Sequence, residues 1–195
     1  MSVSEPMTLA TDYLLAGVTG WLAVLLFKKS EFQKSRKWWA IAFSALALGA
    51  FLGGTWHGLF QNPLLWKATL LAVGVASFGM VLGSAIATLS GAARNVIVTV
   101  ALAKLVVYCA WITVRDEFIF VVLDTGIAFA MVAALHLWRW NALVLAGVAL
   151  SVGAALAQAS GLALHRHFNH NDLYHVIQIA AMALLYRGAR RIRDS

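Results

Sequence analysis

Charged side chains are scarce in this sequence: they make up 12% of its 195 residues, whereas hydrophobic side chains make up 62%. Soluble domains carry about 25% charged residues and about 45–50% apolar ones. The mean hydropathy of +0.80 agrees with this imbalance. The composition therefore excludes a soluble globular protein, and we expect an integral membrane protein.

Cysteine and proline are also rare. The single cysteine, Cys109, lies inside an apolar run and has no partner in the chain, which excludes a disulfide framework. The two prolines, Pro6 and Pro63, lie at the edges of apolar segments, where they do not interrupt a helix. The net charge of +7 is placed mostly beside apolar segments, so it favours membrane orientation over nucleic-acid binding.

Seven apolar runs of near-spanning length follow one another along the chain. A bilayer core of about 30 Å takes about 20 helical residues to cross, so the chain has room for seven crossings and no separate soluble domain. The predicted helices are residues 7–27, 38–60, 66–89, 95–114, 118–137, 142–164 and 173–186. Small residues in helices 2 and 3 predict a close approach of these two helices. Residues 1–195 thus form one all-α domain, a seven-helix transmembrane bundle.

The distribution of lysine and arginine predicts the orientation of the bundle. Eleven of these residues fall on one side of the predicted membrane, three fall on the other, and Lys104 lies inside helix 4. Because short cytoplasmic loops retain basic residues, we expect the N-terminus outside and the C-terminus in the cytoplasm. An odd number of crossings satisfies this arrangement. The expected location is a bacterial inner membrane or a plasma membrane.

Ionisable residues at membrane depth are the main functional signal, because each is costly unless it is paired, hydrated or metal-bound. Asp12 opens helix 1, His57 lies near the outer end of helix 2, and Asp124 lies six residues into helix 5 from the same side. The segment HRHFNHNDLYH, residues 165–175, leads into helix 7, again on the outer side. We therefore predict a polar site at the outer mouth of the bundle.

His57 and His175 are the main candidate metal ligands. Two glycines one helical turn before His57 leave space beside its ring. His175 shares a helix face with Asn171 and Asp172 if helix 7 begins by residue 171. A catalytic zinc ion takes three protein ligands and one water, so the two histidines with His170 or Asp172 would suffice. His170 can join only if it precedes the first turn of helix 7, because it otherwise points about 140° away.

Structural roles are the alternatives for these residues. A histidine next to Trp56 is also typical of the membrane interface, with its ring among the headgroups. Asn169, Asn171 or Asp172 is a candidate N-cap for helix 7. Capping and metal binding are compatible with each other.

Lys104 and Asp124 are predicted to pair across helices 4 and 5. Their depths in the membrane differ by only about 6 Å at 1.5 Å per helical residue. A lysine side chain can bridge that difference. The pair would make Asp124 a structural residue, although it also remains a candidate general base.

Two short motifs, GTWHGLF at the end of helix 2 and HNDLYHVIQ in helix 7, together with the helix count, resemble the CREST superfamily of seven-helix membrane hydrolases. That superfamily includes alkaline ceramidases and the adiponectin and progestin receptors, and its members hold zinc with three histidines and hydrolyse lipid amides. The resemblance implies that His57 and His175 are zinc ligands. Asn171 stands where the superfamily has the first histidine of the helix 7 pair, with His170 one residue out of register. The superfamily's helix 3 aspartate has no counterpart here.

The principal hypothesis is a ceramidase-like, zinc-dependent membrane hydrolase that acts on an amide or ester of a lipid near the outer leaflet. A metal-bound water, with its pKa lowered toward 7, would be the nucleophile. Asp12, Asp172 or Asp124 would be the general base, and the sequence does not choose among them. Membrane lipids and a lipid-like substrate are the expected partners.

Two other functions stay open. The first is a non-enzymatic membrane protein, either a transporter, a pH or ligand sensor or an assembly factor, whose outer histidines respond near pH 6.5. The second is a haem protein with His57 and His175 as axial ligands, which a Soret absorbance band would reveal. No nucleic-acid partner is expected, and the sequence leaves the oligomeric state and the substrate open.

Overall fold

The computed structural model describes residues 4–195, and it folds them into seven α-helices joined by short connections. The helices are α1 (Pro6–Ser30), α2 (Lys34–Gly58), α3 (Pro63–Thr88), α4 (Gly91–Val114), α5 (Ile119–Trp138), α6 (Ala142–Ala159) and α7 (His170–Ala189). The prediction of an all-α chain with seven helices is confirmed.

Six of these helices, α1 to α6, are long and apolar enough to cross a membrane. The seventh, α7, is not among them, and its first three turns carry the polar residues Asn171, Asp172 and Gln178. A set of six such helices in one chain is typical of a multi-pass membrane protein.

Local caps explain where two helix boundaries differ from the prediction. Helix α6 ends at Ala159 rather than at residue 164, because Gly161 adopts a φ of +69° that a helix cannot continue. Helix α7 begins at His170 rather than at residue 173, because Asn169 caps it. The Asn169 side chain accepts from backbone N–H groups of the first turn, and Asp172 accepts from the Asn169 N–H at 2.8 Å. Of the three predicted N-cap candidates, Asn169 is the one that caps the helix.

The C-terminal tail caps α2 from a distance. The carboxylate of Asp194 accepts hydrogen bonds from the backbone N–H groups of Lys34 (2.7 Å) and Ser35 (2.9 Å) and from the Ser35 hydroxyl (2.6 Å). The Nε atom of Arg36 donates to the carbonyl of Ile192 at 2.8 Å. A carboxylate is favourable at a helix N-terminus, so α2 begins at residue 34 instead of residue 38.

Six helices form a closed ring, and α4 lies outside it. Around the ring, α1 contacts α2 and α7, α3 contacts α2 and α5, and α6 contacts α5 and α7. Helix α4 packs mainly on α3, and its buried residues are Ala101, Tyr108 and Ile112. The Tyr108 hydroxyl donates to the carbonyl of Leu70 on α3 at 2.9 Å. The interior of the bundle is therefore enclosed without α4.

Glycines allow the ring helices to approach closely, as the small residues in α2 and α3 predict. A Cβ atom at Gly83 of α3 would lie only 2.8 Å from the carbonyl oxygen of Ser35 on α2. A Cβ atom at Gly54 of α2 would lie 2.7 Å from the Cβ of Asp12 on α1. Membrane helices commonly use small residues in this way.

Replacing Gly83 with alanine should destabilise the bundle by about 1–3 kcal/mol, because the new methyl group overlaps a backbone oxygen that cannot move away by itself. The measurement is thermal unfolding of the purified protein in detergent. Gly126→Ala is the matched control, since a Cβ atom there meets nothing within 4 Å. Equal unfolding temperatures for the two variants would contradict the close packing of α2 and α3.

Stability should fall in acid because of the tail cap. Partial burial acts to raise the pKa of Asp194, but the hydrogen bonds from Ser35 and from the Lys34 backbone outweigh it and hold that pKa below its usual 3.8. The ionised carboxylate therefore stabilises the fold fully above pH 3.8, and this contribution is lost as the pH falls through the lowered pKa. Unfolding temperatures of the wild-type protein and Asp194→Asn should converge as the pH falls below the lowered pKa of Asp194. A constant difference would contradict the cap.

Candidate functional site

A cavity of about 540 Å³ lies inside the helix ring and is lined by every helix except α4. We call it the central cavity. Most of its wall is apolar, with contributions from Leu46, Val73, Met80, Phe129 and Leu185. The acidic and histidine residues in its wall are Asp12, His57 and His175. They come from the start of α1, the end of α2 and the start of α7, so they mark one polar end of an apolar space.

Asp12 and His175 form a buried pair that joins α1 to α7. The Nε2 atom of His175 lies 3.1 Å from Oδ1 of Asp12, and the side chains are 8% and 7% exposed. The Nδ1 atom of His175 lies 3.0 Å from Oγ1 of Thr11. The Nε2 contact joins the ring to the carboxylate without the alignment of a hydrogen bond, whereas Nδ1 lies within hydrogen-bond distance of the Thr11 hydroxyl.

The glycines of α2 place the Asp12 carboxylate at the cavity wall. Gly54 allows the backbone of α2 to pack against the Cβ of Asp12, as described above. Gly53 lines the cavity, and a Cβ atom there would lie 3.9 and 4.0 Å from the two carboxylate oxygens. The missing side chain at Gly53 therefore leaves space beside the carboxylate, on the cavity side.

His57 lies in the same wall and faces two kinds of neighbour. Its Nδ1 atom is 3.3 Å from Oε2 of Glu5. The two atoms are not aligned as a hydrogen bond, and this buried nitrogen has no hydrogen-bond partner within residues 4–195. The contact with Glu5 is therefore electrostatic. The ring also stands edge-on to Trp56 and Trp66. The space predicted beside the ring at Gly54 is filled by Asp12 and Tyr13 of α1, and the ring itself lines the central cavity.

Asp172 and His170 do not line the central cavity. Asp172 is fully buried, and besides capping α7 its Oδ1 atom lies 3.4 Å from the Thr11 hydroxyl oxygen. It therefore contacts the site only through Thr11. His170 is the first residue of α7, so helix geometry turns it about 140° away from His175. The structure does not bring His170 to the other two histidines, because His170 is already part of the first turn of the helix.

Asp124 pairs with Lys104, as the sequence predicts. The Nζ atom of Lys104 contacts Oδ1 of Asp124, and the two side chains are 13% and 3% exposed. Asp124 does not line the central cavity. The pair attaches the outer helix α4 to α5, which is a structural role.

The sequence interpretation missed several polar residues around the cavity. Gln178 donates to the Ser151 hydroxyl at 3.1 Å, and both residues line the cavity. Ser77 of α3 also lines it, and its buried hydroxyl has no hydrogen-bond partner in the described part of the chain. Thr11 and Gln178 could have been found from their positions, next to the predicted aspartate and one turn after the predicted histidine. Glu5 and Ser77 carry no comparable signal.

The donors present do not form a three-ligand zinc site. Among the described residues 4–195, no group of three His, Cys, Asp or Glu side chains is arranged to hold a metal ion. The Nδ1 atom of His175 is hydrogen-bonded to Thr11, and its Nε2 atom faces the Asp12 carboxylate. Zinc stays a prediction, and no step below depends on it.

The fold and the cavity define a helical protein with the properties of a multi-pass membrane protein and a polar site at one end of an apolar interior. The chain belongs to a family of unknown function, DUF6962, whose match covers residues 7–194. That region includes Asp12, His57 and His175. No curated protein and no solved structure matches the chain. The resemblance to the CREST superfamily stays a prediction.

Replacing both members of the Lys104–Asp124 pair should be milder than replacing either one. A single Lys104→Met or Asp124→Asn change leaves a buried group without its partner, which typically costs about 3–5 kcal/mol, whereas the double variant removes both charges. The measurement is a double-mutant cycle of unfolding temperatures in detergent. Additive losses would show that the two side chains do not interact.

Proposed function

We propose that this protein is an integral membrane hydrolase that cleaves an amide or ester bond of a lipid held in the central cavity. The observation that supports it is the joint placement of Asp12, His57 and His175 at one end of an otherwise mostly apolar space of about 540 Å³. Ligand sites are commonly apolar cavities of this size with a few convergent polar groups.

The shape of the cavity fits a molecule with a polar head and an apolar chain. The cavity wall includes His175 near the start of α7 and Leu185 ten residues later, a distance of about 15 Å along the helix. An acyl chain would lie along this wall, while the polar bond lies against Asp12.

Asp12 is the general base of the proposed reaction, because it is the one carboxylate of the three predicted candidates that lines the cavity. It takes a proton from a water molecule as the water oxygen attacks the carbonyl carbon. A ring N–H of His57 donates to the oxygen that becomes negative. When the carbon–nitrogen or ester bond breaks, Asp12 returns the proton to the leaving amine or alcohol.

His175 is a positioning residue in this scheme. Its Nε2 atom contacts one oxygen of Asp12, and the other oxygen would face the water. Thr11 fixes the ring from its other side, and Asp172 lies behind Thr11. Residues that lie behind a reacting group, as His175, Thr11 and Asp172 do here, hold that group in the orientation that the reaction needs.

The orientation of the bundle is part of the proposal. The distribution of lysine and arginine supports seven crossings with the N-terminus outside and the C-terminus in the cytoplasm. The polar end of the central cavity would then lie at the outer leaflet. Helix α7 would cross as part of the ring, with Asn171, His175 and Gln178 facing the cavity rather than lipid. A bacterial inner membrane or a plasma membrane is the proposed location.

A ligand or pH sensor is the second candidate. Two contacts that involve ionisable groups join separate parts of the chain at the polar end, Asp12 with His175 and Glu5 with His57. A ligand or a proton that breaks one of them would change how α1 contacts α7 or α2. The same cavity would then report binding without cleavage.

Asp12→Asn should lower kcat/KM by at least about 100-fold, because general base catalysis typically contributes that much. The assay uses the purified full chain in detergent with two probes, a fluorescent long-chain ceramide for amide cleavage and a fluorescent long-chain fatty-acyl ester. The readout is release of the labelled fatty acid. Asp116→Asn is the matched control, since Asp116 lies in the connection between α4 and α5, outside the cavity wall.

A chelator arm distinguishes the two hydrolytic schemes. Activity that persists after treatment with EDTA supports Asp12 as the base acting on free water. Activity that is lost with the chelator and restored by zinc would contradict it and support the metal site. Tight binding of both probes without any cleavage would overturn the hydrolase and support the sensor.

A further inference from the structure

A second cavity, of about 440 Å³, lies at the other end of the bundle from the central cavity's polar groups. We call it the arginine cavity. It is bounded by the end of α3, the connection from α5 to α6 and the tail after α7. Its wall includes Arg139, Arg191 and Arg193. The hydrolase proposal does not use any of these residues.

The three arginines are not neutralised by the protein. Within residues 4–195, no carboxylate lies within 4 Å of any of their guanidinium groups. Among the described residues, Arg139 donates only to the carbonyl of Thr88, at 3.4 Å. The side chains of Arg191 and Arg193 are exposed and make no hydrogen bond in the described structure. Like charges gathered in this way repel one another unless an anion lies between them.

The tail that carries two of the arginines is held in place. Asp194 caps α2, as described above, and the Ser195 hydroxyl donates to the carbonyl of Ile86 at 3.0 Å. Ile192 is buried and its carbonyl accepts from Arg36. Arg191 and Arg193 flank this buried residue, so the fold fixes their backbone positions beside the cavity.

The cavity is placed and shaped for the headgroup of a lipid. Trp138 and Trp140 beside it are 78% and 71% exposed, as expected for indole rings at a membrane interface. Ala142 and Leu143, the first residues of α6, line the cavity. Backbone N–H groups at such a position have no acceptor inside the helix and favour an anion.

We infer that the arginine cavity is a binding site for the phosphate group of an anionic lipid headgroup. Arginine is suited to this because its planar guanidinium offers paired N–H donors that match phosphate oxygens. The site differs from the hydrolase site in its residues, its end of the bundle and its ligand chemistry. It would fix the basic end of the bundle at the surface of an anionic leaflet.

The test titrates the purified full chain in a neutral detergent with dioleoyl phosphatidylglycerol and counts retained lipids by native mass spectrometry. Dioleoyl phosphatidylcholine is the lipid control. The variant Arg191→Gln/Arg193→Gln should raise the apparent Kd for phosphatidylglycerol by at least about tenfold. Arg193→Gln alone should raise this Kd by a smaller factor. This single variant replaces the double variant in the test if the double variant is unstable.

The matched protein control is Arg187→Gln/Arg190→Gln, which removes the same charge near the same tail from exposed residues that do not line the cavity. It should keep nearly wild-type affinity. Equal loss in the two double variants would overturn the inference, because general surface charge would then explain the binding. Unchanged affinity in the cavity variant, or equal binding of both lipids, would also overturn it.

Inorganic phosphate distinguishes the two sources of the same chemistry. Displacement of phosphatidylglycerol by millimolar phosphate would show that a free phosphate ion fills the arginine cavity. Retention of the lipid under these conditions would assign the cavity to the headgroup with its attached chains. Neither result depends on whether the protein hydrolyses lipids.

Discussion

The buried contact between Asp12 and His175 is the interaction on which the rest of the structure depends. It connects the first helix of the chain to the last, and so closes the ring around the central cavity. Removing one member of such a pair leaves the other buried without compensation, which is more costly than never having buried either. The same contact holds the Asp12 carboxylate at the cavity wall. Ring closure and the proposed chemistry therefore depend on one pair of side chains.

An apolar bundle tolerates polar side chains only where each has a partner, and most of those described here have one. Lys104 is paired with Asp124, Tyr108 donates to a backbone carbonyl, and Gln178 donates to Ser151. The exceptions in the described part of the chain include Nδ1 of His57 and the hydroxyl of Ser77, and also the Thr19 hydroxyl, the Trp39 indole N–H and Oδ2 of Asp124. Unpaired buried groups are costly unless water or a ligand contacts them. The central cavity brings Asp12 and His175 against an apolar wall, which favours a molecule with both a polar and an apolar part.

The sequence predicted features that depend on position along one helix, and it missed those that depend on contacts between distant segments. The Lys104–Asp124 pair followed from their depths alone, and the close approach at Gly83 followed from composition. The sequence did not predict the early start of α2, because the cap of this helix is Asp194, near the other end of the chain. His170 was proposed as a ligand because the start of α7 depends on a cap that the sequence left open among three residues. The partner of His175 likewise required the packing of α1 on α7.

The most direct measurement is the position of a bound, non-hydrolysable lipid analogue, such as a long-chain phosphonate that mimics the tetrahedral intermediate, in an experimental structure of the protein. The account predicts the phosphonate oxygens within about 2.6–3.2 Å of the Asp12 carboxylate and a His57 ring nitrogen, with the chain along α7 toward Leu185. A lipid whose head contacts neither residue, or which lies outside the helix ring, would contradict it.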